Sequence, residues 1–395
     1  MKIKVVIILG WLSLLTIDRL LALDIQLDFS SSMGYRGENE DYLLPSSQEE
    51  WSNATGQLEA TLITRGKLPN GTSGALEFSV TGSPSAAESL NIAVGEAYGT
   101  LVPVDFVFFT VGRIRKKFGN AYFTNLSNRI SPMVRTTQGI KQDALPLTGV
   151  EVMVAEGLSV SSILWFPDEL RWDVASYAIS SHLCRGGFDG SIHVYWEASQ
   201  WPAVGVNMAY GTDWFLLYGE GLWKKRSDQE YVENGSVWRK EHGVYAGAVG
   251  LTLFWKELSF GLEWWGREEG YSQKEQETVY DLIQKVKNGT LPASSSEATF
   301  VQGLSYTPFE WGRYYAGFWI QYQQVLGISD LSVSGYGALS FDGMGVHLGV
   351  QGSYWVDDRS LLWSRLVWYG GEMSSEFKRL IPEQFSFEIG IKVSL

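Results

Sequence analysis

The sequence predicts an all-β fold: a transmembrane antiparallel β-barrel of sixteen to eighteen strands, eighteen preferred. Three observations predict it. Segments of about ten residues alternate apolar with polar or glycine residues along the whole chain, which is the pattern of a wall with lipid on one face and water on the other. The composition is rich in Gly (43), Trp (17), Tyr (19) and Phe (19), while charged residues make up only 19%. The connections between segments are alternately long and short, as expected of external loops and periplasmic turns.

The segments follow in order. Candidate strands cover 24–33, 57–65, 75–83, 91–100, 105–113, 147–156, 158–166, 171–183, 187–198, 202–211, 213–224, 242–254, 257–268, 311–324, 330–341, 343–355, 360–370 and 384–395. In "GALEFSVTG", Leu76, Phe78 and Val80 take one face and Glu77, Ser79 and Thr81 the other. In "GSIHVYWEAS", Ile192, Val194 and Trp196 oppose His193, Tyr195 and Glu197. The end of the chain, "FSFEIGIKVSL", keeps a strict period of two from Phe385 to Leu395. Trp196, Trp255, Trp264, Tyr354 and Trp368 stand near segment ends, where aromatic girdles sit at the two membrane interfaces. Residues 34–56, 114–146, 225–241, 269–310 and 371–383 are the long connections. A misread pair in 269–310, where "EATFVQGLSY" has strand character, would change the count. The same connection holds "EQETVYDLIQKVKNG", in which Val279, Leu282, Ile283 and Val286 keep helical spacing and Asn288-Gly289 makes a stop.

The first residues read as a signal peptide over 1–23: Lys2 and Lys4, then an apolar core from Val5 to Leu15, then a cut near Ala22 or Leu23. The barrel then occupies 24–395. The core is too short for a helical anchor, which needs about 20 apolar residues. A net charge of −13 argues against nucleic acid as a partner. One cysteine, Cys184, leaves no disulfide framework, and with four histidines no zinc site and no cofactor is expected. A hydrolase is not expected either. No Gly-x-Ser-x-Gly elbow occurs, and the mid-strand histidines His193 and His347 belong to the lumen-facing parity.

Function is sought in the third external loop. Over 114–146 and the strand before it stand Arg113, Arg115, Lys116, Lys117, Arg129, Arg135 and Lys141, with Asp143 the one acid between 113 and 143. Folded inward, such a loop is a positive constriction, and cations in a narrow aqueous path favour anions. Arg313, Arg365 and Glu263 are expected on the lumen wall, with Glu59, Glu77, Glu151 and Glu197 beside them. The alternative is that the cations lie outside and keep the loop solvated.

Two resemblances bear on this. Glu388, Gly390, Val393 and Leu395 resemble the C-terminal signal of Gram-negative outer-membrane proteins, which implies recognition by the barrel assembly machinery. The usual last residue of that signal is aromatic; here it is Leu395. The chain as a whole resembles the outer-membrane porins. Gly112-Arg113, Phe118-Gly119 and Ser131-Pro132 are similar to a pattern of the larger single-chain, alginate-export-like and substrate-specific members, with Ile114 where those carry Gln. The resemblance implies a passive diffusion channel for small hydrophilic solutes, seated among outer-membrane lipids, with the third loop narrowing its lumen. The alternative is a structural or adhesin barrel without an open pore.

Overall fold

A computed structural model describes residues 23–43, 54–68, 71–82 and 90–395, apart from breaks at 117, 125, 131–132, 137–138, 143, 168–171, 199–200, 234, 293, 305 and 307. The segment read as a signal peptide, 1–22 and the side chain of Leu23, lies outside the described residues. Eighteen strands form one antiparallel sheet. It is closed, because the first strand, Leu23–Glu38, pairs both with the second, Ala54–Lys67, and with the last, Glu383–Ser394. The seam is tied at its end by Leu27 and Leu395, whose amides and carbonyls exchange bonds of 3.1 and 2.8 Å. Closure leaves no strand edge to face hydrocarbon, where an unpaired amide has no water to bond.

The period of two becomes two faces. In the last strand Phe387, Ile389 and Ile391 point outward with 41–48% of their surface exposed, while Ser386 is buried inside. Across the wall an apolar band therefore faces out. Trp196, Trp264 and Trp368 ring its external end, and Trp255 and Tyr354 its periplasmic end. On the inner face four aromatics lie directly opposite glycines across a strand pair: Tyr218 and Gly250, Trp319 and Gly261, Tyr336 and Gly349, Trp363 and Gly390. Each ring covers the backbone its partner leaves bare, and this packing holds the register of a glycine-rich wall.

The connections divide as the sequence implies. Turns at one end are short, such as 156–157, 186–187 and 256–257. At the other end several long connections fold back on the barrel. The stretch 268–313 carries α1 (Gln273–Lys287) and α2 (Ser296–Gly303). Ser272 caps α1 in a full capping box with Glu275, and Val279, Leu282 and Ile283 form its buried stripe. The residues of "EATFVQGLSY" are not a strand. Ser295 accepts the Ala298 amide, and Ala298 and Val301 bury one helical face three apart. The segment 171–183 is also shorter than its reading, beginning as strand only at Ser176 after a turn at Trp172–Val174. A hairpin of Glu230–Glu233 with Ser236–Arg239 stands in 225–243. A third helix, α3 (Glu376–Arg379), lies in the last external loop.

These loops have cores of their own. Leu43, Tyr231, Tyr271, the buried stripe of α1, Phe300 of α2, Trp311 and Leu380 pack as a cap. Beneath it Phe123, Phe309 and Phe377, from three different external loops, join the wall residues Trp265, Tyr315, Val367 and Tyr369. Apolar packing thus stands inside the barrel under the external mouth, a place where a simple water-filled tube would hold none.

Candidate functional site: the third loop against the inner wall

The strand Val107–Ile114 ends in the cationic run. Val107, Phe109 and Val111 share its outward face, and Arg113 falls in the same register, opposite Ala97 and Pro146. Arg113 is exposed on the outside of the barrel, so its expected place in the pore lining is corrected by parity alone. The chain then turns inward. Arg115 donates from both arms to Glu77 at 2.8 Å, and its amide donates to Glu96 at 2.8 Å. These contacts hold the Glu77 side chain and the loop entrance together across the inner wall.

Beyond Arg115 the loop crosses to the opposite wall. Two inward carboxylates receive it. Glu220 accepts from the Ala121 amide (3.0 Å) and from the amide and hydroxyl of Ser127 (3.3 and 3.2 Å). Glu263 accepts from the amides of Tyr122 (2.6 Å) and Phe123 (3.1 Å) and from the Tyr218 hydroxyl (2.6 Å). Burying a carboxylate is costly unless donors replace its water, and charged acceptors make the stronger bonds. Each acid here has three donors. Gly119 sits against the Glu220 carboxylate with φ +86°, where a side chain would strike that group and strain the backbone. Gly317 gives Phe123 its seat, since a β-carbon there would meet the ring at 2.5 Å.

Aromatic and apolar contacts complete the anchorage. Phe123 stacks on Trp265 at 5.2 Å and Tyr122 on Trp319 at 5.2 Å. Ile130 is fully buried with Leu147, Ile163, Trp165 and Tyr195. The Tyr195 hydroxyl donates to the Ser127 carbonyl. Arg129 pairs with Glu197 and stands 3.5 Å from Asp228. Burial alone would disfavour its cation, but Glu197, Asp228 and Glu269 outweigh it and hold Arg129 charged. Lys224 bridges Asp228 (2.6 Å) and Glu269, and Arg267 reaches Glu269 at 3.0 Å. Burial pushes the Glu269 carboxyl up; Lys224 and Arg267 overcome that and bring it down to about 2.

The remaining expected residues are placed as follows. Lys116 reaches over the Phe118 ring at 5.6 Å and lines a small hollow with Thr110, Glu151 and Ile163. Lys117 lies outside the described residues. Arg135 and Lys141 belong to a small hairpin, Met133–Thr136 with Gly139–Gln142, and their side chains lie outside the described residues. Arg313 is not in the lumen wall. It stands at the external rim, donating to Glu275 of α1 at 2.8 Å and to the Gly270 carbonyl at 3.0 Å. Arg365 faces inward, nearly buried, 3.4 Å from the Tyr336 hydroxyl. Glu263 faces inward but lies under the loop as its anchor, with 3% of its surface exposed. Of the C-terminal residues, Glu388 lies opposite Gly34 and Arg365, Gly390 opposite Ser32 and Trp363, and Val393 opposite Phe29 and Ser360. Leu395 closes the seam.

The inner wall also brings Ser191, His193 and Asn207 together. The Ser191 hydroxyl is 2.6 Å from His193 Nε2, and the Asn207 amide lies 2.6 Å from that hydroxyl and 3.1 Å from the same Nε2. In a nucleophilic triad the third residue orients the other ring nitrogen. Here both partners crowd one nitrogen, and Phe118 packs on the ring at 4.1 Å, tilted by 45°. The cluster is wall packing under the loop, as expected of His193. Among the described residues no three His, Cys, Asp or Glu side chains gather to hold a metal ion. Glu220, Tyr218, Lys224, Arg267 and Glu269 were not among the expected site residues. The one sequence signal for Glu220 is an acid at inward parity in "YGEGL".

No family model and no curated protein matches the sequence. Solved structures do. Acinetobacter baumannii OccAB1 superposes with a TM-score of 0.60 at 10% identity, covering 94% of this chain and 96% of that one. Pseudomonas aeruginosa OccK2 (OpdF) gives 0.63 at 9%, covering 95% and 98%, and OccK8 (OprE) of the same organism 0.60 at 7%, covering 94% and 98%. At such identities the likeness concerns the fold. With a closed barrel of eighteen strands, outward aromatic belts and long external loops, the chain has the fold of an outer-membrane porin, built like OccAB1 and the OccK channels.

Proposed function

We propose that the protein is a passive diffusion channel of the outer membrane for small hydrophilic solutes, in which the third loop narrows the lumen and favours anions. One observation carries this reading: the loop backbone is bound by Glu220 and Glu263 of the far wall, so the loop stands in the path of any solute. No enzyme chemistry enters the reading. Arg115 and Arg129 are matched by Glu77 and Glu197, and their charge is spent locally. The preference for anions then rests on Lys116 and on Lys117, Arg135 and Lys141 further along the loop, with Arg365 on the wall. Outer-membrane lipid covers the outward band. The last strand, with Glu388, Gly390, Val393 and Leu395, is the segment offered to the barrel assembly machinery.

A second reading has support in the apolar packing under the external mouth: a structural barrel without an open pore. Single-channel recording in planar bilayers separates the two. A discrete conductance whose reversal potential in a salt gradient reports anion preference, and which loses it when Lys116 and Lys117 become Glu, supports the channel with its basic loop. Conductance with no such preference keeps the channel and removes the loop's selective role. A folded, heat-modifiable barrel that never conducts gives the structural reading.

A further inference from the structure

The last external loop, residues 372–382, dips into the barrel. Phe377 is fully buried among Tyr369, His347 and Phe309, at centroid distances of 6.5, 5.9 and 5.7 Å. Ser375 caps α3 by accepting the Phe377 amide at 3.2 Å. The loop is also held from above: Lys378 pairs with Asp41 at 3.2 Å, and Asn39 donates to the carbonyls of Lys378 and Ile381 at 2.7 Å each. These contacts seat the loop as a lid over the lumen, under the cap of α1 and α2.

One group does not fit a permanent lid. Glu376 has no exposed surface and no ion-pair partner among the described residues, and neither carboxyl oxygen meets a donor in good hydrogen-bond geometry; only the Tyr315 and Ser340 hydroxyls stand close. Such a group is costly to bury as an anion and much less costly as a neutral acid. The Tyr315 and Ser340 hydroxyls are its polar neighbours and favour its anion, but by less than burial disfavours it. Asp342 adds like charge from the turn at 341–344, although its own carboxylate is engaged by the amides of Arg313 (2.6 Å) and Tyr314 (3.0 Å). Arg267 is the nearby cation, but it is committed to Glu269 and Glu310. Tyr280 from α1 and Tyr306 from the loop after it complete the surroundings on the cap side. Tyr369 and His347 lie on the Phe377 side, and on α3 itself Lys378 and Arg379 point to Asp41 and the Met373 carbonyl.

We propose that Glu376 is a proton-operated latch: its neutral carboxyl lets the last external loop seat in the lumen, and ionisation drives the loop out and opens the mouth. This rests on the channel reading above and adds its regulation. Burial, with Asp342 second to it among the forces that raise the value, moves the carboxyl from 4.5 up to about 8. The seated loop therefore holds a proton that the released loop gives up. Seating is strongest in acid, weakens as pH rises from about 4.5, and stops changing above about 8.

The test uses the full refolded chain in planar bilayers with the external pH stepped from about 5 to about 8.5. The open fraction should rise with pH, approaching about tenfold per unit, the limit for one proton. Glu376→Gln, neutral at every pH, should stay closed with a flat profile. In parallel, trypsin cleavage after Lys378 and Arg379 is compared between wild type and E376Q at each pH, so that the pH dependence of the protease cancels. Wild type should be cut increasingly faster than E376Q as pH rises. A pH response that survives in E376Q, or cleavage ratios that do not move, overturns the latch and leaves the channel standing. Cleavage ratios that move while neither wild type nor Phe377→Ala ever conducts support the latch and overturn the channel.

Discussion

Two places inside one barrel bury carboxylates, and they treat them differently. Under the third loop Glu220 and Glu263 each collect three donors, mostly backbone amides. Under the last loop Glu376 has only the Tyr315 and Ser340 hydroxyls close by, neither in good hydrogen-bond geometry, and no amide. Burial is as deep in both, so desolvation does not separate them; the supply of donors does. The difference teaches that an acid inside a channel wall is a fixed anchor where the loop offers its amides and a movable catch where the loop brings only rings.

The largest effect should come from breaking the anchored side. Replacing Glu220 and Glu263 together by Ala orphans the loop's donors at roughly 1–3 kcal/mol for each one left buried and dry. We expect a loss of about 5 kcal/mol or more in unfolding by denaturant, together with a larger and noisier conductance. An unchanged conductance would mean that the loop does not need these acids to stay in place. Phe123→Ala comes next, at about 3 kcal/mol, because the ring fills the space over Gly317 and against Trp265. Restoring volume with Gly317→Ala in that background should recover part of the loss, whereas Gly317→Ala alone should cost stability.

The comparison sharpens with pH. Glu269 is depressed, not raised, so the stability it contributes is present above about 4.5 and is lost as pH falls toward about 2. Acid titration of wild type should show this loss, and Glu269→Gln should lack it. If E269Q and wild type lose stability in parallel over that window, the Lys224–Glu269–Arg267 network is not its source. The smallest effect is expected at Arg113, which faces outward. Arg113→Ala should change stability by no more than about 0.5 kcal/mol and leave ion selectivity as it was. A clear loss of anion preference would place that residue in the pore after all.

The wall was legible because its physics is local. Lipid on one side and water on the other impose a period of two, and every barrel strand carries it. Arg113 was legible on the same terms: Val107, Phe109 and Val111 already set the parity that puts it outside. The α1 helix was legible from the spacing of Val279, Leu282, Ile283 and Val286 and from the Asn288-Gly289 stop. The hairpin of Glu230–Glu233 with Ser236–Arg239 carried its signal in the sequence Asn-Gly at 234–235, a dipeptide that favours tight hairpin connections. The anchors of the third loop were not legible. Glu220 and Glu263 bind backbone amides of residues about a hundred or more positions away, and every residue except proline has an amide to offer. Nothing in the side chains of Ala121 or Phe123 announces such a contact. Glu376 looked like an ordinary acid in a surface loop, because only the tertiary packing removes it from water.

The seam has a consequence for the order of events in folding. Residue 27 bonds to residue 395, so the contact that finishes the barrel joins the two ends of the wall. Every other strand pair, the short-range hairpins included, can form before it. Contacts so distant along the chain carry a high entropic cost of closure and come late. Until then the nascent sheet presents two bare edges, the first strand and the last, each a template for pairing with a stranger. The slow step is thus the meeting of Leu23–Glu38 with Glu383–Ser394, and a chain stalled there is the species most exposed to mispairing.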